Sequence, residues 1–190
     1  AGFDSPSAVL SARVRRATLA PGSFRKDALL LADWIDTPLG AMIAISCQHQ
    51  LHLLEFADRK ALPREMIRLQ KAQPGGIGFG RPAPTQRIAD ELSRYFAGSA
   101  ARFDTPLALH GTAFERDVWR YLLEIPAGET RSYSQIARDM GRPTATRAVA
   151  RANGSNQIAV VIPCHRVLSA DGSLTGYGGG LWRKQRLIEI

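Results

Sequence analysis

Cysteine and long apolar runs are both scarce in this chain of 190 residues. The two cysteines, Cys47 and Cys164, are too few for a disulfide framework and match no zinc-ligand spacing, so we expect no metal. The longest apolar runs, such as residues 28–32 and 158–163, are far too short to cross a bilayer. The N-terminus lacks the charged start and apolar stretch of a signal peptide. We therefore expect a soluble protein of the reducing cytoplasm, with no membrane partner.

Positive charge is in excess, and it is unevenly distributed. The chain carries 25 lysines and arginines against 17 acidic residues, a net charge of +8. The excess lies in residues 1–26 and 105–190, whereas the charges of residues 27–104 balance. A neutral middle between two basic ends favours a polyanionic partner, in particular nucleic acid. The alternative is a solvated arginine-rich surface, and charge alone does not separate the two.

Three regions of the chain differ in pattern. Residues 1–26 predict one helix that stops at a Pro-Gly pair, which is too little for a domain. Residues 27–104 predict a small α/β domain, and residues 105–190 predict a helical domain. Within the middle region we predict strands at 29–35, 41–47 and 51–56, helices at 61–72 and 85–97, and a Gly/Pro-rich loop at 74–84.

Capping signals divide the last region into short helices. The patterns at residues 112–115 and 132–135 match the capping box and predict two helices, the second of which ends at Gly141. Pro143 starts a third helix, which ends at Gly154. Because a glycine-containing turn joins the last two helices, the pattern predicts a helix-turn-helix. A final helix is predicted from residue 181 onward.

The third of these helices carries arginines among alanines. Arg147 and Arg151 are four residues apart, so they share one face of the helix. Small neighbours such as Ala148 permit a close approach to another surface. The pattern is compatible with contact with DNA, but for this helix taken alone an ordinary alanine-rich packed helix is the more common explanation.

Cys164 follows a predicted buried strand at residues 158–162 and precedes His165 and Arg166. The thiolate is the nucleophilic form of cysteine, and an adjacent imidazole or positive charge favours it. A buried and inert thiol is the alternative, and we assign that role to Cys47, which lies in an apolar strand pattern. Adjacent residues on an extended chain face opposite ways, so the sequence does not establish that His165 points at the thiol.

The segment Ile-Pro-Cys-His-Arg-Val at residues 162–167 resembles the active-site signature of the O6-alkylguanine-DNA alkyltransferases. The resemblance extends over residues 29–190. It implies a small N-terminal α/β domain with an antiparallel sheet, then a helical, winged helix-turn-helix-like domain that carries the active-site cysteine. It implies a monomer without a cofactor, and its partner is double-stranded DNA bound through the minor groove. Further matching segments lie at 33–40, 111–114, 132–133, 147–149, 153–156 and 177–180.

The resemblance also implies single-turnover repair of alkylated DNA. The modified guanine is flipped out of the duplex, and Cys164 keeps its alkyl group as a stable thioether. His165 then acts as a base through a water molecule. Asn156 braces the active-site turn, and Tyr133 lines the pocket and assists nucleotide flipping. The alternatives are structural, with Asn156 as a turn former and Tyr133 as a core aromatic.

Further matches to the family concern DNA and the substrate pocket. Arg147 matches the arginine that fills the space of the flipped base, with Ala148 and Arg151 beside it on the DNA-binding helix. A glycine-rich loop matches the pocket wall, where the lack of side chains leaves space for the base and its alkyl group. These wall residues are Tyr177, Gly178 and Gly179, for which a purely loop-forming role is the alternative.

One element of the family pattern falls outside the sequence. The family has a glutamate about 27 residues after the cysteine, which corresponds to position 191. Glu189 is the nearest carboxylate, two residues short, and we assign it no catalytic role. We therefore expect a chain that ends at Ile190 to transfer slowly or to be unstable.

Residues 2–25 resemble the last helix and tail of an AraC-type helix-turn-helix domain. Together with an alkyltransferase, this is the arrangement of Ada-type adaptive-response regulators, so the pattern predicts a fragment of a larger transcriptional regulator.

The alternative to an alkyltransferase is a non-catalytic alkyltransferase-like protein that only binds lesions. Such proteins lack the acceptor cysteine, and the presence of Cys164 argues against it.

Overall fold

The computed structural model describes residues 28–190, so the predicted AraC-type remnant at residues 1–26 lies outside the described residues. The chain divides into two compact units, with the boundary between Ala108 and Leu109. The domain limits placed at residues 104 and 105 from the sequence stay a prediction. No helix within residues 28–190 is long and apolar enough to cross a membrane.

A four-stranded sheet forms the centre of the first unit. Neighbours in the order β3-β2-β1 pair antiparallel, with Trp34 opposite Ile43 and Ala44 opposite Leu54. These three strands lie within the predicted ranges, so the predicted strands and the antiparallel sheet are confirmed. The strands are β1 (Leu30–Ile35), β2 (Met42–Ser46), β3 (Leu51–Phe56) and β4 (Ile77–Phe79).

The fourth strand differs from the sequence prediction. The loop predicted at residues 74–84 is wrong for Ile77–Phe79, which pairs in parallel with β1 and places Leu30 opposite Ile77. Three residues are too few for a two-residue periodicity to stand out from a Gly/Pro-rich background. The pairing also requires a long crossover connection, which only the folded chain supplies.

Two helices complete the first unit and confirm the predicted ones. They are α1 (Leu62–Ala72) and α2 (Ala83–Phe96). The apolar face of α1 packs on the sheet, and burial of these side chains is the main favourable contribution to folding of this unit. The core cluster consists of Leu30, Ala32, Ile43, Ile45, Leu53, Leu62, Met66, Leu69 and Ile77.

The second unit is mainly helical, as predicted. Two short strands, β5 (Arg131–Ser132) and β6 (Val167–Leu168), pair in parallel. Short 3-10 helices occupy Pro143–Ala145 and Cys164–Arg166. The helices are α3 (Ala113–Leu123), α4 (Tyr133–Asp139), α5 (Thr146–Gly154) and α6 (Leu181–Glu189).

Side-chain caps start two of these helices where the sequence predicts them. Thr112 and Glu115 form a complete capping box at α3, and Ser132 with Gln135 forms another at α4. Each box satisfies two backbone N–H groups that the first turn of a helix leaves without partners. Helices α4 and α5 then form the predicted helix-turn-helix, with the 3-10 helix at Pro143 between them.

Candidate active site around Cys164

Cys164 begins a 3-10 helix and does not follow a strand. The strand predicted at residues 158–162 is wrong, because this buried segment turns and the Ile162 N–H donates to the Ile158 carbonyl at 3.0 Å. Val160 has a φ of 71°, a left-handed conformation that is costly for a β-branched residue. A buried turn and a buried strand have the same apolar composition, so the apolar pattern predicted a strand where the chain turns.

The Asn156 carboxamide holds this turn and also contacts the sulfur. Its Oδ1 accepts from the Ile158 N–H at 2.9 Å, and its Nδ2 donates to the Ile162 carbonyl at 3.0 Å. The same Nδ2 lies 3.2 Å from Cys164 Sγ and donates to it. A hydrogen bond to the charged form of an acid stabilises that form, so this contact favours the thiolate.

His165 is fully buried beside the cysteine in sequence. Neither ring nitrogen has a hydrogen-bond partner within residues 28–190. Burial lowers the pKa of His165 to about 3, and the positive charges of Arg166 and Lys184 act in the same direction. The imidazole is therefore neutral at physiological pH.

Lys184, from the first turn of α6, places a buried cation at the site. Its side chain is fully buried, and Nζ donates to the carbonyls of Val167 at 2.6 Å and Thr175 at 2.7 Å. Burial lowers the pKa of Lys184, and the charge of the Cys164 thiolate opposes that shift. The attraction is mutual, so the ammonium stabilises the ionised sulfur.

Tyr133, the first residue of α4, belongs to the same cluster. Burial raises the pKa of Tyr133, and the negative charge of the Cys164 thiolate acts in the same direction. Hydrogen bonds with Thr175 and Asn153 oppose the shift. The hydroxyl is thus held in its protonated form. Asn153 also reaches the site directly, since its Nδ2 lies 3.4 Å from the Cys164 carbonyl oxygen.

The glycine-rich loop ahead of α6 is fastened to that helix. Tyr177 is half-buried, Gly178 is exposed and Gly179 is buried. The Gly180 N–H donates to the Tyr177 carbonyl at 3.0 Å, which closes a turn. The Gly179 carbonyl accepts from Arg183 Nη1 at 2.8 Å.

Helix α5 carries the other three predicted site residues, Arg147, Ala148 and Arg151. Arg147 and Arg151 are exposed, and neither is paired with a carboxylate in the described part of the chain. Ala148 is half-buried between them in sequence. The helix therefore presents two unpaired positive charges to solvent, which suits a polyanionic partner.

Two hydrogen bonds from α3 hold α5 in place. Trp119 Nε1 donates to the Ala152 carbonyl at 2.8 Å, and Ser155 Oγ donates to Glu115 at 2.7 Å. Both Trp119 and Ala152 are buried, so the first bond forms out of water. The same glutamate caps α3, which links the start of α3 to the end of α5.

Several residues of the cluster were missed by the sequence analysis, namely Lys184, Asn153, Thr175 and Arg183. One of them carried a usable signal. Lys184 lies three residues before Leu187, on the buried face of α6, and a lysine in such a place is unusual enough to predict a role. Asn153 and Thr175 act through contacts between separate segments, and the bond of Arg183 to Gly179 depends on the conformation of the loop, so none of the three leaves a sequence pattern. No group of three or more potential metal ligands occurs within residues 28–190.

The family comparison matches the part of the chain that holds this cluster. A family model described as 6-O-methylguanine DNA methyltransferase, DNA binding domain, matches residues 113–190. A methylated-DNA–protein-cysteine methyltransferase of Mycolicibacterium paratuberculosis is 43% identical over 157 residues, which cover 82% of this chain and 88% of the relative. The chain belongs to the methylated-DNA–protein-cysteine methyltransferase family.

Another member of this methyltransferase family matches over a shorter segment. A methylated-DNA–protein-cysteine methyltransferase of Mycobacterium bovis is 53% identical over 109 residues, or 57% of this chain. The alignment covers 66% of that relative, so it spans slightly less than two thirds of its length.

Solved structures of this methyltransferase family confirm the predicted fold class. The crystal structure of the Mycobacterium tuberculosis O6-methylguanine methyltransferase superposes with a TM-score of 0.72 at 41% identity, covering 84% of this chain and 91% of that one. A structure of the Mycobacterium tuberculosis protein in complex with DNA gives a TM-score of 0.71 at 41% identity, covering 82% and 89%.

Proposed function

We propose that this protein repairs DNA by transferring the alkyl group of O6-alkylguanine to Cys164. A bond forms between Sγ and the alkyl carbon while the bond from that carbon to the guanine oxygen breaks. The thiol proton leaves toward His165 through a water molecule, and the guanine takes up a proton and is restored. A thioether is stable, so each protein molecule reacts once.

The environment of the sulfur carries this proposal. Asn156 donates a hydrogen bond to Sγ, and Lys184 adds a buried positive charge that attracts the thiolate. Both favour the nucleophilic form of Cys164, whereas an inert structural thiol is surrounded by apolar groups alone. The names of the relatives in the family support the same chemistry.

We propose double-stranded DNA as the partner, bound through its minor groove by α5. Arg147 fills the space that the flipped guanine leaves, because its planar guanidinium stacks and donates hydrogen bonds. Arg151 contacts the phosphate backbone, and Ala148 permits the close approach. The exposure of both arginines supports this role, as does the DNA complex of the Mycobacterium tuberculosis relative.

The extruded base occupies a pocket beside the sulfur in this proposal. Tyr133 interacts electrostatically with Cys164 and assists flipping, and Tyr177 borders the base. Gly178 and Gly179 form the wall, where a side chain would occupy the space of the alkyl group. Base flipping gives the thiol access to an oxygen that the duplex otherwise shields.

Transfer is tested with a duplex that carries one O6-methylguanine. We expect one methyl group per protein on the peptide that contains Cys164, measured by mass spectrometry, with no further turnover. The Cys164→Ala variant loses transfer and keeps its DNA affinity, because backbone contacts supply most of that affinity. The matched Cys47→Ala variant transfers normally. Tight lesion binding by the wild type without transfer would instead identify a non-catalytic lesion-binding protein.

We further propose that the chain derives from an Ada-type regulator of transcription. The proposal rests on residues 2–25, whose pattern resembles the end of an AraC-type domain. An upstream reading frame that encodes zinc-ligand cysteines would support it, and a start codon directly before Ala1 would contradict it.

We also propose a monomer that acts in the cytoplasm, where thiols stay reduced. The molar mass of the purified protein, measured by light scattering, tests the monomeric state.

A further inference from the structure

The first turn of α6 fastens the glycine-rich loop through the side chain of Arg183. The loop ends at Gly180, whose φ of 94° is a conformation that glycine adopts freely. The Arg183 N–H donates to the Gly180 carbonyl at 3.1 Å, and its Nη1 donates to the Gly179 carbonyl at 2.8 Å. Arg183 is only 7% exposed, so its bond to Gly179 is shielded from competing water.

Trp182 packs against the guanidinium group of its neighbour. The Arg183 Cζ lies 4.7 Å from the centre of the indole ring, within the range of a cation–π contact. The indole is 55% exposed, so it forms the outer side of this contact. The indole, the guanidinium and the Gly179 carbonyl thus form a series of contacts that runs from solvent to the loop.

The other end of the loop is held by the next residue of α6. Lys184 donates to the Thr175 carbonyl at 2.7 Å, so two consecutive side chains hold two ends of one segment. Gly178 and Gly179 have no side chains of their own to pack, and the position of this backbone therefore depends on such external bonds. Lys184 also interacts electrostatically with Cys164.

We propose that Arg183, packed beneath Trp182, is a positioning residue that holds the wall at residues 177–180 and so limits the size of the alkyl group that Cys164 accepts. The inference rests on the proposed function, because it assigns the loop to the pocket for the alkylated base. A methyl group leaves the wall where Arg183 holds it. A benzyl group requires the wall to move, and the bond to Gly179 opposes that movement.

The test compares single-turnover transfer rates for two lesions in the same duplex, O6-methylguanine and O6-benzylguanine. Arg183→Met removes the hydrogen bond and the charge but keeps a long side chain. We expect the ratio of the benzyl rate to the methyl rate to rise about five-fold, the effect of one net hydrogen bond. Arg183→Lys, which keeps a charge and a donor, restores part of the wild-type ratio.

Two further variants separate positioning from stability. Arg186→Met removes the same charge from the same helix, but the Arg186 side chain is 68% exposed and pairs with Glu189. We therefore expect its ratio of benzyl to methyl transfer rate to stay at the wild-type value. Trp182→Ala changes an exposed side chain, which spares the fold, and we expect its ratio to rise about two-fold, since a partly exposed cation–π contact is weaker.

An unchanged rate ratio in both Arg183→Met and Trp182→Ala overturns the inference, even if the melting temperature falls, because a merely structural role changes stability and not the ratio. If Arg183→Met does not fold, the ratio of the benzyl rate to the methyl rate in Trp182→Ala alone tests the inference. A wild type that transfers neither alkyl group overturns the proposed function instead.

Discussion

At the scale of single residues, two groups act on the Cys164 sulfur by different physics. The Asn156 amide acts through one hydrogen bond, which exists only at short distance and good geometry. Lys184 acts through charge, whose effect extends further because burial keeps water away. Loss of the first therefore changes local geometry as well as reactivity, since the same amide also holds the turn.

Replacing Asn156 by alanine tests this double role. The Ile158 N–H and the Ile162 carbonyl lose a buried partner, so the free energy of unfolding falls by about 1–3 kcal/mol. We also expect the methyl-transfer rate to fall by at least about ten-fold, because the sulfur loses its donor. Urea unfolding and single-turnover transfer measure the two effects.

The residue that follows Asn156 provides a matched control. Gln157 is buried, and neither polar atom of its side chain has a partner within the described residues. Gln157→Leu replaces an unsatisfied amide by an apolar group of similar size, so we expect stability to stay constant or to rise and the transfer rate to persist. Equal losses in Asn156→Ala and Gln157→Leu would contradict the role given to the asparagine.

His165 makes stability depend on acid pH. Its pKa is about 3 in the folded protein against 6.5 ordinarily, so the unfolded chain binds the extra proton between these values. Stability is therefore fully present above pH 6.5 and is lost as the pH falls from about 6.5 toward about 3. His165→Gln should flatten this part of the curve of unfolding free energy against pH. An unchanged slope in the variant would show that folding does not lower the pKa of His165.

At the scale of elements, α5 combines a buried attachment with an exposed charged face. Trp119 and the Glu115–Ser155 bond hold its last turn from α3. Its arginines remain unpaired, in contrast to Arg120 of α3, which pairs with Asp117. A rigid, unneutralised face of this kind binds phosphates with little rearrangement of the protein.

Arg151 gives this element a measurable signature in DNA binding. Arg151→Ala should reduce the slope of log affinity against log salt by about one, since one phosphate contact is lost. Arg120→Ala is the control with the same loss of charge, and we expect the wild-type slope there. Fluorescence anisotropy over a series of salt concentrations measures both. Identical slopes for the two variants would mean that total charge, and not α5, sets the affinity.

At the scale of the whole molecule, a buried acid–base cluster in the first unit couples stability to pH. Arg59 pairs with Glu55 of β3 and, at 2.8 Å, with Glu65 of α1. Burial raises the pKa of Glu55 to about 8, the charge of Arg59 opposes the rise and that of Glu65 adds to it. Burial also raises the pKa of Glu65, against the charges of Arg59 and Arg68.

The sign for Glu55 is opposite to that for a salt-bridged surface carboxylate. A carboxyl whose pKa is raised on folding contributes stability below its ordinary pKa of 4.5, and that contribution is lost as the pH rises toward about 8. In the wild type this carboxyl makes the unfolding free energy decrease as the pH rises through this range, and the Glu55→Gln variant should lack that decrease. Urea unfolding of the full chain measures it. If the unfolding free energy of the wild type rose with pH relative to that of Glu55→Gln, the pKa of Glu55 would not be raised on folding.

Local signals in the sequence determined most elements of the fold. The capping boxes at Thr112 and Ser132 predicted the starts of α3 and α4, because a cap is formed by residues three positions apart. Apolar periodicity predicted the first three strands and the two helices of the first unit for the same reason. The motif around Cys164 predicted this residue as the reactive one, since the residues of the motif are adjacent in the sequence.

Only the tertiary structure decided the features that depend on distant residues. β4 exists because β1 provides its hydrogen bonds, and the segment before Cys164 turns because the Asn156 amide holds it. The cation near the sulfur comes from Lys184, 20 positions further along the chain. Hydrogen bonds and charges act through space, so residues far apart in sequence combine at the site without leaving a local pattern.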